Sequence, residues 1–246
     1  MIKQAIRDFI VKRTFAAKLR NKGMNTFSNF EILKSIRSSA ELKREEENRP
    51  HEVMYFHKVD DPYSHLAIQY IDKLQESFDI SFQAILVGEE NSDAVHEPSL
   101  YSTYCLDDAK RIAPFFGVEF SAASYPSAEL VIKSNKILTA VDTLNFAEVA
   151  KKVSSALWSS NESILDDLSR EYSASDEEVS NKLESGNFIR SEKDYYFGSA
   201  FYYEKELYWG VDRLHHLEDR LIELGLKKDS INEPICTPHL SAPSKM

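Results

Sequence analysis

The stretch that most narrows the fold of this chain runs from residue 53 to residue 87. Val53-Met54-Tyr55-Phe56 is a compact apolar run of strand length, and Asp61-Pro62 follows after a short connection. Asp before Pro marks a helix start: the carboxylate accepts from the first unpaired backbone N–H groups, and proline suits the first helical position, where no N–H is needed. Leu66, Ala67, Tyr70, Ile71 and Leu74 then recur at three- and four-residue steps, which predicts one amphipathic helix, and Ile80 to Val87 reads as a second strand. Strand, crossover helix and strand in so short a span form a βαβ unit. Such a unit places two parallel strands in one sheet with a helix covering its face.

Beyond this unit the pattern turns helical. Tyr104 to Phe116, Ala128 to Leu138, Phe146 to Trp158 and Asp176 to Leu183 are predicted helices with Ser, Asn or Asp near their starts, forming an inserted helical layer at about 94–190. Ala200-Phe201-Tyr202-Tyr203 and Leu207-Tyr208-Trp209, separated by Glu204-Lys205-Glu206, read as a hairpin without the usual Asn-Gly or Asp-Gly turn. A last helix runs from Asp212 to Leu224 and stops at Gly225. The implied layout is a basic helical extension over 1–50, an α/β domain over 51–226 and a flexible tail over 227–246.

Composition removes several function classes. The chain of 246 residues carries a net charge of −10, whereas coating nucleic acid needs clustered Lys and Arg, so nucleic acid is not an expected partner. Its cysteines, Cys105 and Cys236, belong to no C-x-x-C pair, which argues against a disulfide framework and for a reducing compartment. No apolar run approaches the ~20 residues of a membrane-spanning helix. The expectation is a cytoplasmic protein. Residues 1–22 stand apart: Lys3, Arg7, Lys12, Arg13, Lys18, Arg20 and Lys22 face the lone acid Asp8, and Ile2, Ile6, Phe9 and Ile10 share one helical face. That segment suits an arm packed on protein, a leader directing the chain to the mitochondrial matrix, or the only expected point of membrane contact.

Two motifs carry a resemblance. Val59-Asp60-Asp61-Pro62-Tyr63-Ser64-His65-Leu66-Ala67 resembles the "SPYS" strand-to-helix turn of the kappa-class glutathione transferases and 2-hydroxychromene-2-carboxylate isomerases, relatives of the DsbA oxidoreductases. Tyr208-Trp209-Gly210-Val211-Asp212-Arg213-Leu214 resembles their "WGxDRL" entry into the final helix, and Ala156-Leu157-Trp158 resembles their "ALW" helix. The resemblance spans roughly Glu52 to Leu224. It implies a thioredoxin-like fold, a βαβ half and a ββα half, with a large inserted helical subdomain. It also implies a small-molecule ligand of the glutathione kind, isomerase or transferase chemistry, and compatibility with a homodimer.

At the site the resemblance marks, this chain departs from its pattern. The relatives' first serine, whose hydroxyl favours the glutathione thiolate, is Asp61 here; an ionised carboxylate has no proton to give and repels a thiolate. Asp61 therefore reads either as a helix cap or as a general base, with Asp60 as a neighbouring carboxylate and Ser64 and His65 as further catalytic candidates. Dithiol exchange is excluded, because no cysteine stands at this turn. Aligning back from Trp209 puts Ser199 where the relatives have a cis-proline, and a trans bond is expected there. Tyr63, Asn91, Ser199, Asp212 and Arg213 complete the candidate ligand set, Asp212 standing where the family's Asp would hold the γ-glutamyl amino end of glutathione. The loop after the second strand is acidic, with Glu89, Glu90 and Asp93, and Tyr101 stands where a lysine would serve. No metal is expected: His215 and His216 point to different faces of a helix, and Cys236-x-x-His239 lies in the tail. The alternative to a diverged enzyme is a catalytically inactive interaction or assembly module on the same fold.

Overall fold

A computed structural model describes residues 29–89, 95, 97–229 and 234–236. The chain divides into two compact units, Met1–Arg49 and Pro50–Met246. In the first, α1 (Phe30–Glu46) is capped by Asn29, whose side chain accepts from the Glu31 N–H. Near its C-terminus Arg44 pairs with Glu41 at 2.9 Å and donates to the Arg49 carbonyl. The basic stretch 1–22 lies outside the described residues.

The second unit is built on a four-stranded sheet of order β2-β1-β3-β4. β1 (Glu52–His57) runs parallel to β2 (Ser81–Leu86) and antiparallel to β3 (Ala200–Tyr203), which pairs antiparallel with β4 (Glu206–Trp209). The hairpin turn is tighter than the sequence suggested. Tyr203 pairs with Glu206, so only Glu204 and Lys205 form the loop, at φ +38° and +72°. Two positive φ values are the mark of the turn whose twist matches its strands, adopted here without glycine.

The helix predicted from Pro62 to Leu74 is two: α2 (Pro62–Ile68) and α3 (Ile71–Ser77). No Pro or Gly breaks it. Gln69 instead spends its side chain on backbone, donating to the carbonyls of His65, one turn back, and of the distant Glu119, and accepting from the Glu119 N–H, each at 3.0 Å. The backbone tightens there, Tyr70 N–H bonding the Ala67 carbonyl, and the Tyr70 hydroxyl bonds the Phe116 carbonyl.

Five helices follow: α4 (Pro98–Phe116), α5 (Ala128–Ala140), α6 (Phe146–Trp158), α7 (Glu162–Glu171) and α8 (Asp176–Ser191). The sequence reading missed α7, although Asn161 caps it and Ile164, Leu165 and Leu168 keep helical spacing. It also stopped α8 short at Leu183. The helix continues through Gly186, which packs so closely on β2 that an added Cβ would stand 1.9 Å from the Leu86 carbonyl oxygen. α6 buries residues on most of its circumference and packs on α2, joining the helical layer to the sheet. A 3₁₀ turn, Val211–Arg213, leads into α9 (Leu214–Glu223).

The segment expected as a flexible tail is anchored where it is described. Lys228 N–H bonds the Ser77 carbonyl, both Glu218 oxygens accept from the Ile235 N–H at 2.9 and 3.0 Å, and Cys236 is buried against the Val211 carbonyl. Backbone donors that reach a buried carboxylate fix a segment that has no helix or strand of its own.

Candidate functional site

β1 ends at His57, and the chain turns through Lys58 to Asp61 into α2. Asp61 is extended at φ −95°, ψ 119°, the geometry of a capping residue. Its Oδ1 accepts from the Tyr63 N–H at 3.2 Å and its Oδ2 from the Ser64 N–H at 3.0 Å. Oδ2 also accepts from the Ser64 hydroxyl at 2.8 Å, and that hydroxyl in turn accepts from the Lys58 N–H at 3.2 Å. The buried Ser64 hydroxyl thus has its proton and an acceptor lone pair both in use. Asp60, the neighbouring carboxylate, pairs with Lys58 Nζ at 3.1 Å.

The loop before β3 lies directly against this turn. A Cβ at Gly198 would stand 2.8 Å from Lys58 Cβ, 3.0 Å from Asp61 Oδ2 and 3.2 Å from Ser64 Oγ, so only glycine lets the two segments approach this closely. The next bond is trans, and Ser199 sits in the left-handed region at φ +54°. Its carbonyl accepts from the Gly210 N–H at 2.7 Å, while its buried hydroxyl has no partner among the described residues. The Tyr195 hydroxyl is likewise buried without a partner; burial first, and the Asp61 charge second, raise its pKa.

Aromatic rings flank the turn. Tyr63, on the first turn of α2, meets Trp209 edge-on at 5.9 Å; Phe197 stacks on Trp209 at 5.1 Å and on Tyr101 at 5.6 Å. The Tyr63 hydroxyl donates to Asp108 Oδ2 at 2.8 Å, and burial, then that bond, raise its pKa. Sequence reasoning did not find Phe197, Tyr195 or Asp108. The run Tyr195-Tyr196-Phe197 was the visible signal, since three consecutive aromatics in a loop need something to pack against.

His65 is a core residue with both ring nitrogens engaged: Nδ1 meets Ser154 Oγ at 2.8 Å and Nε2 meets the Glu119 carbonyl at 3.0 Å. Burial lowers its pKa to about 4, so the ring is neutral at pH 7. A second histidine, absent from the sequence-based set, lies deeper. His57 has its pKa lowered to about 3 by burial and then by His65, and its Nδ1 lies 3.2 Å from the Tyr55 hydroxyl. That hydroxyl also reaches the Ser64 carbonyl at 3.1 Å. A carbonyl can only accept, so Tyr55 spends its proton there and His57 donates from Nδ1.

Asp212 and Arg213 pair with each other at 3.0 Å in the half-exposed 3₁₀ turn, which packs on α2. Asn91, Glu90 and Asp93 lie outside the described residues, as does His239. Among the described residues no group of three or more His, Cys, Asp or Glu is placed to hold a metal ion, and the rings of His215 and His216 contact each other at 3.9 Å. Cys105 is buried near Tyr63 and Tyr101 with its thiol pushed up to about 11, chiefly by burial.

The sheet order, the crossover helix, the inserted helices between the two halves and the close pairing of the α2 turn with the loop before β3 define a thioredoxin-fold protein with a helical insertion. A solved structure of 2-hydroxychromene-2-carboxylate isomerase, as the selenomethionine protein, shares this fold at a TM-score of 0.52 and 19% identity, covering 71% of this chain and 96% of that one. No family model and no curated protein matches the sequence.

Proposed function

We propose that this protein is a thioredoxin-fold binding module in which glutathione-thiolate chemistry at the α2 turn is silent. The observation that carries this is the Asp61 carboxylate: it takes hydrogen bonds from two backbone N–H groups and from the Ser64 hydroxyl. The donors that would stabilise a thiolate are spent on a charge the chain supplies itself. A ligand sulfur would bring a second negative charge to the same place. Gly198 against Asp61 Oδ2 also leaves no space for a sulfur atom between them. The residues present do not fit glutathione in its thiolate form.

Calorimetric titration of the full chain with glutathione tests this, alongside an assay for glutathione-dependent isomerisation of 2-hydroxychromene-2-carboxylate. The expected outcome is no binding tighter than about 1 mM and no turnover for the parent chain. A micromolar dissociation constant, about −8 kcal/mol, would overturn the reading.

A second reading is favoured by the two buried hydroxyls beside the turn, Ser199 Oγ and Tyr195 OH, which lack hydrogen-bond partners among the described residues. Buried polar atoms are seldom left unsatisfied, so a polar ligand settling there would leave Asp61 as its proton acceptor in a diverged, glutathione-independent isomerase. Loss of a measured activity in Asp61→Asn at unchanged stability would select this reading.

A further inference from the structure

We propose that a cavity lined by residues of α2, α6 and α7 binds an amphipathic organic cation: an amine carried on a flat apolar body. The cavity measures about 700 Å³, within the roughly 300–1,000 Å³ of small-molecule sites. His65 and Gln69, toward the C-terminal end of α2, line it, and its lining includes none of Asp61, Ser64, Ser199 or Asp212.

Its floor is apolar and aromatic. Ala156 and Trp158 are buried there, and the indole contacts Phe120 at 5.3 Å, Tyr125 at 5.6 Å and His65 at 6.1 Å. Indole is the ring that most favours a nearby cation. His65 contributes no positive charge, since both its nitrogens are engaged in hydrogen bonds and it is neutral.

Charge at the mouth decides the sign of the ligand. Lys151 is paired with Asp72 at 3.3 Å and Lys152 with Glu148 at 2.6 Å, so both ammoniums are neutralised by acids that also line the cavity. Glu119 lines it too, and its carboxylate has no ion-pair partner among the described residues. The lining therefore carries one negative charge in excess. An anion would have to displace a carboxylate from a lysine and meet the excess negative charge of the lining, whereas an ammonium is attracted by that excess and by the indole of the same cavity.

The chain has two tryptophans, so Trp209→Phe leaves Trp158 as the sole reporter of the cavity. 2-Phenylethylamine and phenylacetate, similar aromatic bodies of opposite charge, are titrated against Trp158 fluorescence. The amine is expected to give a saturable change at sub-millimolar to millimolar concentration, with phenylacetate at least fivefold weaker. Ser155→Phe places a ring in the cavity from an exposed wall position and should weaken amine binding tenfold or more; its folding is checked by circular dichroism and Tm. Should that variant not fold, Ser159→Phe serves the same purpose. Glu119→Gln should weaken the amine about two- to fivefold, as for an exposed ion pair. Failure of the amine to saturate, equal or tighter binding of phenylacetate, unchanged affinity in a folded cavity-filling variant, or unchanged affinity in Glu119→Gln would each overturn the assignment.

Discussion

The Ser64 hydroxyl donates a 2.8 Å hydrogen bond to Asp61 Oδ2 within a single turn of chain. The serine completes the cap of its own helix, and the candidate basic carboxylate is held by three donors. The competition between capping and chemistry is therefore measurable at one position.

Asp61→Ala removes the acceptor for two backbone N–H groups and strands the buried Ser64 hydroxyl, and should cost about 1–2 kcal/mol. Asp61→Asn keeps a capping oxygen and should lose less than half of that. Urea denaturation of the two variants and the parent checks both. A neutral Asp61→Ala would mean that the cap contributes nothing to stability.

Acid should destabilise the protein well above the carboxylate range. His57 and His65 have folded pKa values of about 3 and about 4, below the ~6.5 of an unfolded histidine, so the unfolded chain takes up protons first as pH falls. Their stabilising contribution is complete above pH ~6.5 and is lost between there and the folded values. The slope is about 1.4 kcal/mol per pH unit for each histidine. Urea midpoints from pH 7.5 to 4.5 should fall accordingly, and His65→Gln should flatten the slope by about half. A flat profile between pH 6 and 4.5 would show that these rings are not buried neutral.

Gly186→Ala should be among the most damaging single changes in the helical layer, on the order of 3 kcal/mol or more, because the new methyl meets a strand carbonyl that has no room to yield. Tm against the parent is the measurement. A loss below 1 kcal/mol would mean that α8 does not lie directly on β2.

Both thiols should be inert in the native protein. Burial first of all pushes Cys105 up to about 11 and Cys236 up to about 12, so little thiolate exists at pH 8. Ellman's reagent should label neither quickly under native conditions and both after unfolding. Insulin reduction by dithiothreitol should stay at its background rate. Rapid native labelling of Cys105 would indicate that the region around Tyr63 opens to solvent.

The sequence by itself determined whatever rests on neighbours along the chain. Asp61-Pro62 specifies a capped helix start because the cap needs only N–H groups two and three residues on. The apolar run into β1 and the motif around Trp209 are similarly local, and together they carried the thioredoxin-like architecture. Tertiary structure decided what depends on distant pairs. Gln69 gives its hydrogen bonds to Glu119 and splits a helix whose apolar spacing is continuous. Gly198 meets Asp61, and Gly186 meets Leu86, across long stretches of chain. His65 looked like a catalytic candidate beside Ser64, yet partners on α6 and in the loop after α4 make it a neutral core residue. The cavity beside it was invisible for the same reason. Periodicity shows that one face of a helix is apolar, but the space left between three such faces is set by how closely their backbones pack.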